Sequence, residues 1–411
     1  MLPNRVTSSL DPAAHRRLDE IADADVLVGI PCFQNEATIG GVIDAVDAGL
    51  RRHFPDLRGV ICASDGGSTD GTRDVAARTD GSPDRVVFEY RGTAGKGSAV
   101  RAILEAADRL GVRACALVDA DLRSITPVWV DRLIGPVVRH GFDYVAPLYV
   151  RHKHDATITN AVAYPLTTAL YGVRIRQPIG GEFGLSGELA RHLAGQDVWE
   201  TDVARFGIDI WMTTSAVVGR YRVCQAALGA KVHDPKDPGA ELGPMFRQVV
   251  GSLFAAAGRH RDRWAEVGPI EVPPTFGERT DDEAELVAVS MARLEAGFRE
   301  GSRHHDDLWR RTLSPEALAE VERAAASSVE LDDDVWFTIL YDYLVAYHRE
   351  DADAGELLDS LIPLYFARTA GFVERTADAT EVEADAMVEA AVDAAVARKP
   401  YLVERWSATF G

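Results

Sequence analysis

The sequence predicts an α/β protein with a doubly wound, mostly parallel sheet and a helical C-terminal region. The first half contains short, nearly continuous apolar runs, and each run is followed by a polar or glycine-rich loop and then by an amphipathic stretch. Beyond residue 268 the apolar residues recur at helical spacing instead. We therefore expect two domains, at residues 1–267 and 268–411.

Strand, loop and helix signals alternate through the first part of the chain. The predicted strands are 25–33, 60–63, 85–90 and 114–118, and the predicted helices are 38–50, 72–77 and 98–110. Short loops between such units are typical of a parallel sheet with helices on both faces. Ligands of these sheets bind outside the carboxyl ends of the strands, so the loop after each strand is a candidate site.

The C-terminal region shows its own helix signals. Ser314 followed by Pro315 is the pattern of an N-cap with proline at the first helical position. Trp336, Leu340 and Tyr343 form part of an apolar stripe, and residues 357–372 are apolar enough to lie centrally. This region is expected either to cover the first domain or to form the surface of a homodimer.

Composition excludes several classes of protein. Asp and Glu number 64 against 44 Lys and Arg, which gives a net charge of −20 and excludes a chain-wide basic face for nucleic acid. The 46% apolar content excludes wholesale disorder. The four cysteines form no CxxC pair, and no apolar run approaches 18 residues, so we expect a cytoplasmic protein with no membrane contact. The acidic surface fits an ordinary enzyme or adaptation to high salt.

The strongest chemical signal is Asp119-Ala-Asp121 at the end of a predicted strand. Alternation places the two carboxylates on opposite sides of the backbone, so one can hold a ribose or water while the other ligates Mg²⁺ or Mn²⁺. Gly95-Lys96-Gly97 opens a helix, where backbone N–H groups and an ammonium suit a phosphate or a base carbonyl. It is not a P-loop, because the lysine is followed by glycine.

Three further positions carry polar side chains at loops. Glu182 follows the Gly180-Gly181 pair, and Asp209 precedes an apolar helix. His233 follows another strand-like run and could complete a cation site with Asp121, although a lone histidine is more often structural.

These pieces, in this order, resemble a glycosyltransferase of the GT-A fold and the broad family 2 type. The motifs that carry the resemblance are Pro31-x-x-x-Asn35-Glu36, Asp65-Gly-Gly-Ser-Thr-Asp-Gly-Thr72, Gly95-Lys-Gly97 and Asp119-x-Asp121. Gln177-Pro-x-Gly-Gly-Glu182, Gly207-Ile-Asp209 and Lys231-x-His233 are similar to segments of mannosylglycerate and glucosylglycerate synthases and, more distantly, of glucosyl-3-phosphoglycerate synthases.

The resemblance implies a role for each matching residue. The nucleotide and donor sugar would be held by Pro31, Phe33, Glu36, Asp65, Lys96, Asp119, Gly180 and Gly181. Glu182 and Asp209 would be the catalytic carboxylates, without either being assigned as a covalent nucleophile. Arg151 and Thr159 would bind the acceptor, while Asp121 and His233 would hold a divalent cation, Mg²⁺ or Mn²⁺.

The implied reaction is the retaining transfer of glucose or mannose from a GDP or UDP sugar to D-glycerate, which makes a compatible solute. The basic run Arg151-His-Lys-His154 keeps 3-phosphoglycerate open as the acceptor, because it is more basic than one carboxylate requires. A sugar-phosphate nucleotidyltransferase is another alternative. It needs a glycine-rich phosphate loop after the first strand, and residues 32–36 contain no glycine.

Overall fold

A computed structural model describes residues 8–78, 83–232, 238–266, 268–280, 282, 284–327 and 330–411. Its strands are β1 (Val26–Cys32), β2 (Gly59–Asp65), β3 (Asp84–Glu89), β4 (Ala114–Leu117), β5 (Tyr144–Val150), β6 (Phe183–Ser186), β7 (Val223–Ala230) and β8 (Thr275–Phe276). They form one sheet in the order β3-β2-β1-β4-β6-β5-β7-β8. All neighbouring pairs are parallel except those that involve β6, which runs antiparallel to β4 and β5.

The α-helices carry labels in chain order. The first eight are α1 (Pro12–Ile21), α2 (Ile39–His53), α3 (Thr72–Ala77), α4 (Lys96–Leu110), α5 (Pro127–His140), α6 (Tyr164–Tyr171), α7 (Gly187–Ala194) and α8 (Ile208–Val218). The remainder are α9 (Pro238–Arg259), α10 (Arg261–Trp264), α11 (Met291–His304), α12 (Asp306–Thr312), α13 (Pro315–Ala326), α14 (Asp333–Tyr347), α15 (Ala354–Arg375) and α16 (Glu381–Phe410). A short π-helical turn covers Thr159–Ala163, and a 3₁₀ turn covers Asp202–Ala204.

Helices cover both faces of the sheet, as the alternation along β1 shows. Val28 and Ile30 lie in a core cluster with residues of α2 and α5. Gly29 points the other way, because a Cβ at this position would collide with Ile103 of α4. All seven residues of β1 are buried, which explains why its sequence is apolar throughout rather than alternating. The predicted doubly wound, mostly parallel sheet is confirmed.

The described residues fall into two compact units. The sheet unit comprises segments within 1–150, 177–236 and 273–284, and the helical unit comprises segments within 151–176, 237–272 and 285–411. Both units cross the predicted boundary at 267/268. Each unit is therefore built from separate stretches of chain.

The helical unit is held together by buried apolar faces and by capped helix ends. Ser314 accepts a hydrogen bond from the backbone N–H of Ala317, as the sequence predicts. Thr380 and Glu383 form a reciprocal capping box at the start of α16. Among the helices that the structure describes, none combines the length and apolar character needed to cross a bilayer.

Candidate active site at the carboxyl edge of the sheet

The direction of β6 brings two distant loops to one edge of the sheet. Phe183, the first residue of β6, pairs with Leu117, the last residue of β4. The segment 180–182 therefore lies beside Asp119, because the start of an antiparallel strand meets the end of its neighbour. The backbone N–H of Asp119 donates to Oε1 of Glu182 over 3.3 Å.

Gly181 makes this approach possible. Its φ of 91° is in the left-handed region, and a Cβ there would overlap the carboxylate of Asp119. Two successive glycines thus let backbone, rather than side chain, lie against the acidic residue. This agrees with the prediction that Gly180 and Gly181 line the donor site, which itself stays a prediction.

Lys96, the first residue of α4, joins two carboxylates. Its Nζ lies 2.7 Å from Oδ1 of Asp119 and 3.7 Å from Oδ1 of Asp209, which is in the first turn of α8. Burial alone would lower the pKa of Lys96, but Asp119, Asp209 and Glu182 together raise it above its ordinary value. Lys96 is therefore a fixed positive charge between two acidic groups.

Asp209 is held in an unusual environment. Its Oδ1 is shielded from solvent and accepts no hydrogen bond from any residue that the structure describes. An unsatisfied buried oxygen costs free energy, and one explanation for such an atom is a ligand that supplies the missing donor. A hydroxyl of a bound substrate would fill this need.

Glu182 is fully buried, with no exposed surface. Its carboxylate accepts hydrogen bonds from the hydroxyl of Tyr149 and from Nζ of Lys231, the latter at 2.8 and 3.0 Å. Burial raises the pKa of Glu182 above its ordinary value, Lys231 opposes that rise, and Asp119 adds to it. Glu182 therefore has a positively charged partner, Lys231, and lies in an environment from which water is excluded.

Lys231 is a site residue to which its sequence context assigns no role. Its Nζ contacts Asp119, Glu182 and the carbonyl of Gly180, and it lies 5.3 Å from the centre of the Tyr149 ring. The available signal was its position directly after a strand, at the same sheet edge as the predicted carboxylates. Without the pairing of β5 with β7, nothing in the sequence distinguishes it from a surface lysine.

Four of the residues predicted to bind the nucleotide or donor sugar, Pro31, Phe33, Glu36 and Asp65, lie at the ends of β1 and β2 or in the loop after β1. Asp65 is fully buried, and its Oδ2 accepts hydrogen bonds from the N–H groups of Gly67 and Ser68 at 2.9 and 2.8 Å. It therefore closes its own turn. Its role in binding a base stays a prediction.

The loop after β1 presents an aromatic surface. Phe33 is 60% exposed and lies against the backbone of Gly66. Glu36 is also exposed and accepts a hydrogen bond from the N–H of Gly71 at 3.1 Å, while Pro31 is buried within β1. An exposed ring at a ligand-binding edge suits stacking on a base.

The donor set agrees with a hard divalent cation. Both oxygens of Asp119 face lysines. Asp121 lies half-buried two residues further on, and its role as the cation ligand implied by the resemblance stays a prediction. Mg²⁺ is commonly held by one or two carboxylates together with substrate phosphates. Among the described residues no group of three acidic, histidine or cysteine side chains forms a complete cage. His233, the second predicted ligand, lies outside the described residues.

The predicted acceptor residues belong to the helical unit. Arg151 Nη1 pairs with Oδ2 of Asp155 at 2.9 Å, and Thr159 begins the π-helical turn with 3% exposure. The structure corrects the expectation that Lys153 contributes to an anion-binding basic cluster. Its Nζ donates to the carbonyls of the turn after α15, namely those of Thr376, Ala377 and Ala379 at 2.6, 3.2 and 2.6 Å. An ammonium has three donors, so Lys153 has none left for an anion.

Comparisons with known proteins identify relatives of this chain. The family model "Glycosyl transferase family 2" matches residues 27–179. Glucosyl-3-phosphoglycerate synthases of Mycolicibacterium paratuberculosis and Mycolicibacterium smegmatis are 31% and 29% identical to the chain over 260 and 258 residues. Each alignment covers 58% of this chain, and the two alignments cover 74% and 79% of the length of the respective relative.

A solved structure is also similar. The crystal structure of glucosyl-3-phosphoglycerate synthase from Mycobacterium tuberculosis, in complex with Mn²⁺, uridine-diphosphate-glucose and phosphoglyceric acid, is 26% identical. The match covers 61% of this chain and 86% of that chain, with a TM-score of 0.45.

A doubly wound sheet with acidic and basic side chains gathered at its carboxyl edge, together with these sequence relatives, defines a glycosyltransferase with the GT-A arrangement. The chain belongs to glycosyltransferase family 2.

Proposed function

We propose that the protein transfers a hexosyl group from a nucleotide sugar to a glycerate-type acceptor, in a reaction that needs Mg²⁺ or Mn²⁺. The observation that carries the proposal is the meeting of Asp119, Glu182 and Asp209 with Lys96 at one sheet edge of a family 2 transferase. The names of the two bacterial relatives support 3-phosphoglycerate as the acceptor and glucose as the sugar.

The charges of the site suit the bond that must break. Cleavage of the sugar–diphosphate bond leaves negative charge on the nucleotide and positive character on the sugar ring. A divalent cation held by Asp121 would offset charge on the diphosphate, and Lys96 lies near enough to the same edge to assist. Glu182 and Asp209 are the carboxylates that would stabilise the positive sugar.

D-Glycerate is the second candidate acceptor, and it would give a hexosylglycerate compatible solute directly. It is favoured by the engagement of Lys153, whose three N–H donors are taken by backbone carbonyls, so the segment 151–154 offers an anion fewer hydrogen-bond donors than its sequence indicates. Arg151 provides the planar fork that a carboxylate accepts, and both candidate acceptors carry a carboxylate. The retaining outcome implied by the resemblance is part of the proposal.

A matrix of donors and acceptors tests the proposal. Release of nucleoside diphosphate is measured with UDP-glucose, GDP-glucose and GDP-mannose, each with 3-phosphoglycerate, with D-glycerate and without acceptor, in Mg²⁺, Mn²⁺ or EDTA. We expect metal-dependent release with 3-phosphoglycerate, and an α-linked product by NMR. Release with D-glycerate alone would select the second candidate, and no acceptor-dependent release with any donor would overturn both.

A further inference from the structure

We propose that Lys231 is a positioning residue of the donor-sugar site, which acts on the sugar through Glu182 and the backbone of Gly180. This inference rests on the proposed transfer from a nucleotide sugar. Lys231 immediately follows β7, and its side chain is 5% exposed.

The contacts of Lys231 account for all three of its donors. Nζ lies 2.7 Å from the carbonyl of Gly180, 2.8 Å from Oε2 of Glu182 and 3.3 Å from Oδ2 of Asp119. An ammonium has three N–H groups and accepts nothing, so no donor remains for a substrate. Its effect on a ligand must therefore pass through the groups that it holds.

Those groups come from two separate loops. Gly180 and Glu182 precede β6, whereas Asp119 follows β4. Without a cation between them, two acidic side chains would face each other at a buried edge, and their repulsion would push the loops apart. Lys231 therefore fixes the distance between the segment predicted to line the sugar and the residue predicted to hold the ribose.

A bulge in β7 lies just before Lys231 and affects the direction of its side chain. The pairing of β7 with β5 shifts between Leu148 and Tyr149, so that Leu228 is an extra residue on β7. A bulge of this kind re-aims the side chains beside it, and bulges are frequent next to active sites. Gly229 takes a φ of 80° at the bulge, two residues before Lys231.

Lys96 offers an internal contrast. It contacts the other oxygen of Asp119, but its side chain is 19% exposed, and the sequence resemblance places it at the nucleotide. Loss of Lys231 should consequently weaken recognition of the sugar while recognition of the nucleoside diphosphate persists.

The experiment compares Lys231→Met, Lys231→Arg and the double variant Lys231→Met/Glu182→Gln with the wild type. Calorimetry measures the Kd of UDP and of UDP-glucose in Mn²⁺, or of GDP and GDP-mannose if the wild type turns over that donor. In Lys231→Met we expect the Kd of the nucleotide sugar to rise at least about tenfold, while the Kd of the diphosphate changes less than about threefold. The KM of the acceptor should not change, and Lys231→Arg should recover part of the loss.

The double variant separates positioning from stability. Glutamine removes the buried charge that Lys231→Met leaves uncompensated, so the melting temperature should return towards that of the wild type. The affinity for the nucleotide sugar should not return. Lys153→Met is the matched control, because it also removes a lysine with three acceptors, and it should leave the ratio of the two Kd values unchanged.

Two results would overturn the inference: equal weakening of diphosphate and nucleotide sugar, or wild-type affinity for both. If Lys231→Met does not fold, the double variant carries the test, and wild-type affinity for the nucleotide sugar in that variant would count against the proposal. A wild type that turns over no nucleotide sugar would instead refute the proposed function, which keeps the two failures apart.

Discussion

Two lysines organise two regions of this molecule, and their surroundings differ. At the sheet edge Lys231 is surrounded by two carboxylates and one carbonyl. In the helical unit Lys153 is surrounded by three carbonyls of the α15–α16 turn, residues 376–380. The ammonium group is the same in both places, so the difference lies in its acceptors. Lys231 holds carboxylates together in the candidate site, whereas Lys153 stabilises a turn between two helices.

The difference extends to the neighbouring groups. Beside Lys231 and Lys96, Glu182 is fully buried and Asp209 keeps an oxygen without a donor among the described residues, and both arrangements cost stability. Around the turn, Thr380 and Glu383 satisfy each other in the capping box. Substitution of Asp121 or Asp209 should therefore reduce activity more than stability, whereas substitutions in the helical unit should change stability more than activity.

Asp121→Ala should have the largest effect. Loss of the carboxylate predicted to bind the cation should lower kcat/KM for transfer at least about 1000-fold, because charge on the departing diphosphate would no longer be offset. Steady-state kinetics across Mn²⁺ concentrations measures this. Asp108→Ala, which removes an exposed carboxylate paired with Arg191, is the control. Retention of more than about a tenth of the activity would remove Asp121 from the metal site.

Asp209→Asn should lower kcat about 100-fold, because it removes the charge of a carboxylate whose Oδ1 is shielded from solvent and lies 3.7 Å from Nζ of Lys96. The melting temperature should change little, because Lys96 keeps Asp119 as its closer partner. The Kd of the nucleoside diphosphate should not change. The comparison variant is Asp202→Asn, whose carboxylate is 40% exposed. Unchanged turnover would rule out a catalytic role for Asp209.

Lys399→Met tests the helical unit through pH. Lys399 is 3% exposed, and burial lowers its pKa to about 8 from 10.5. Between these two values the unfolded chain binds the extra proton, so this lysine makes the free energy of unfolding rise with pH across that window. Below pH 8 both states are protonated and the full penalty remains.

Replacement of Lys399 should remove that rise and increase stability at pH 7 by up to about 3 kcal/mol. Urea unfolding of both proteins at pH 7 and pH 9.5 measures the difference, since other groups that titrate in this range cancel in the subtraction. A constant offset between the two pH values would contradict the assigned cause.

Lys153→Met should have the smallest of these effects. It removes three hydrogen bonds to the α15–α16 turn and should lower the free energy of unfolding by about 2 kcal/mol. Denaturant titration measures the loss, and the Kd of the nucleotide sugar should not change. A rise in that Kd as large as in Lys231→Met would erase the distinction between the two lysines.

The sequence predicted most of the sheet but not the strand that completes the site. The apolar runs located β1 to β4 within one or two residues, and the helix predicted at 72–77 is α3 (Thr72–Ala77). β6 has only four residues and begins after two glycines, so no periodicity marks it, and its direction is set by partners far away in sequence. The sequence identifies Glu182 as a candidate site residue, but it does not predict that Glu182 contacts Asp119.

The functions of the lysines were unpredictable for a related reason. Lys153 stands in a run of basic residues that reads as an anion site, yet its acceptors are more than 200 positions away. Lys231 stands in no basic run, and its partners lie 49 and 112 positions away. Local patterns report the chemistry of a side chain, whereas long-range pairing determines what that chemistry is used for.

The reversed strand β6 also bears on the order in which the protein acquires its site during folding. The strands β1 to β4 are close together in sequence. The pairing of Ala114–Leu117 with Phe183–Ser186 spans a much longer stretch of chain, and Lys231 lies further on still. Closing such long loops costs entropy before any contact repays it, so these pairings are expected to form late. Pulse-labelled hydrogen exchange should protect the amides of β1 and β2 before those of β6. A nascent chain from which only the first four strands have emerged would thus have the loops predicted to bind the nucleotide but not the segment predicted to line the sugar.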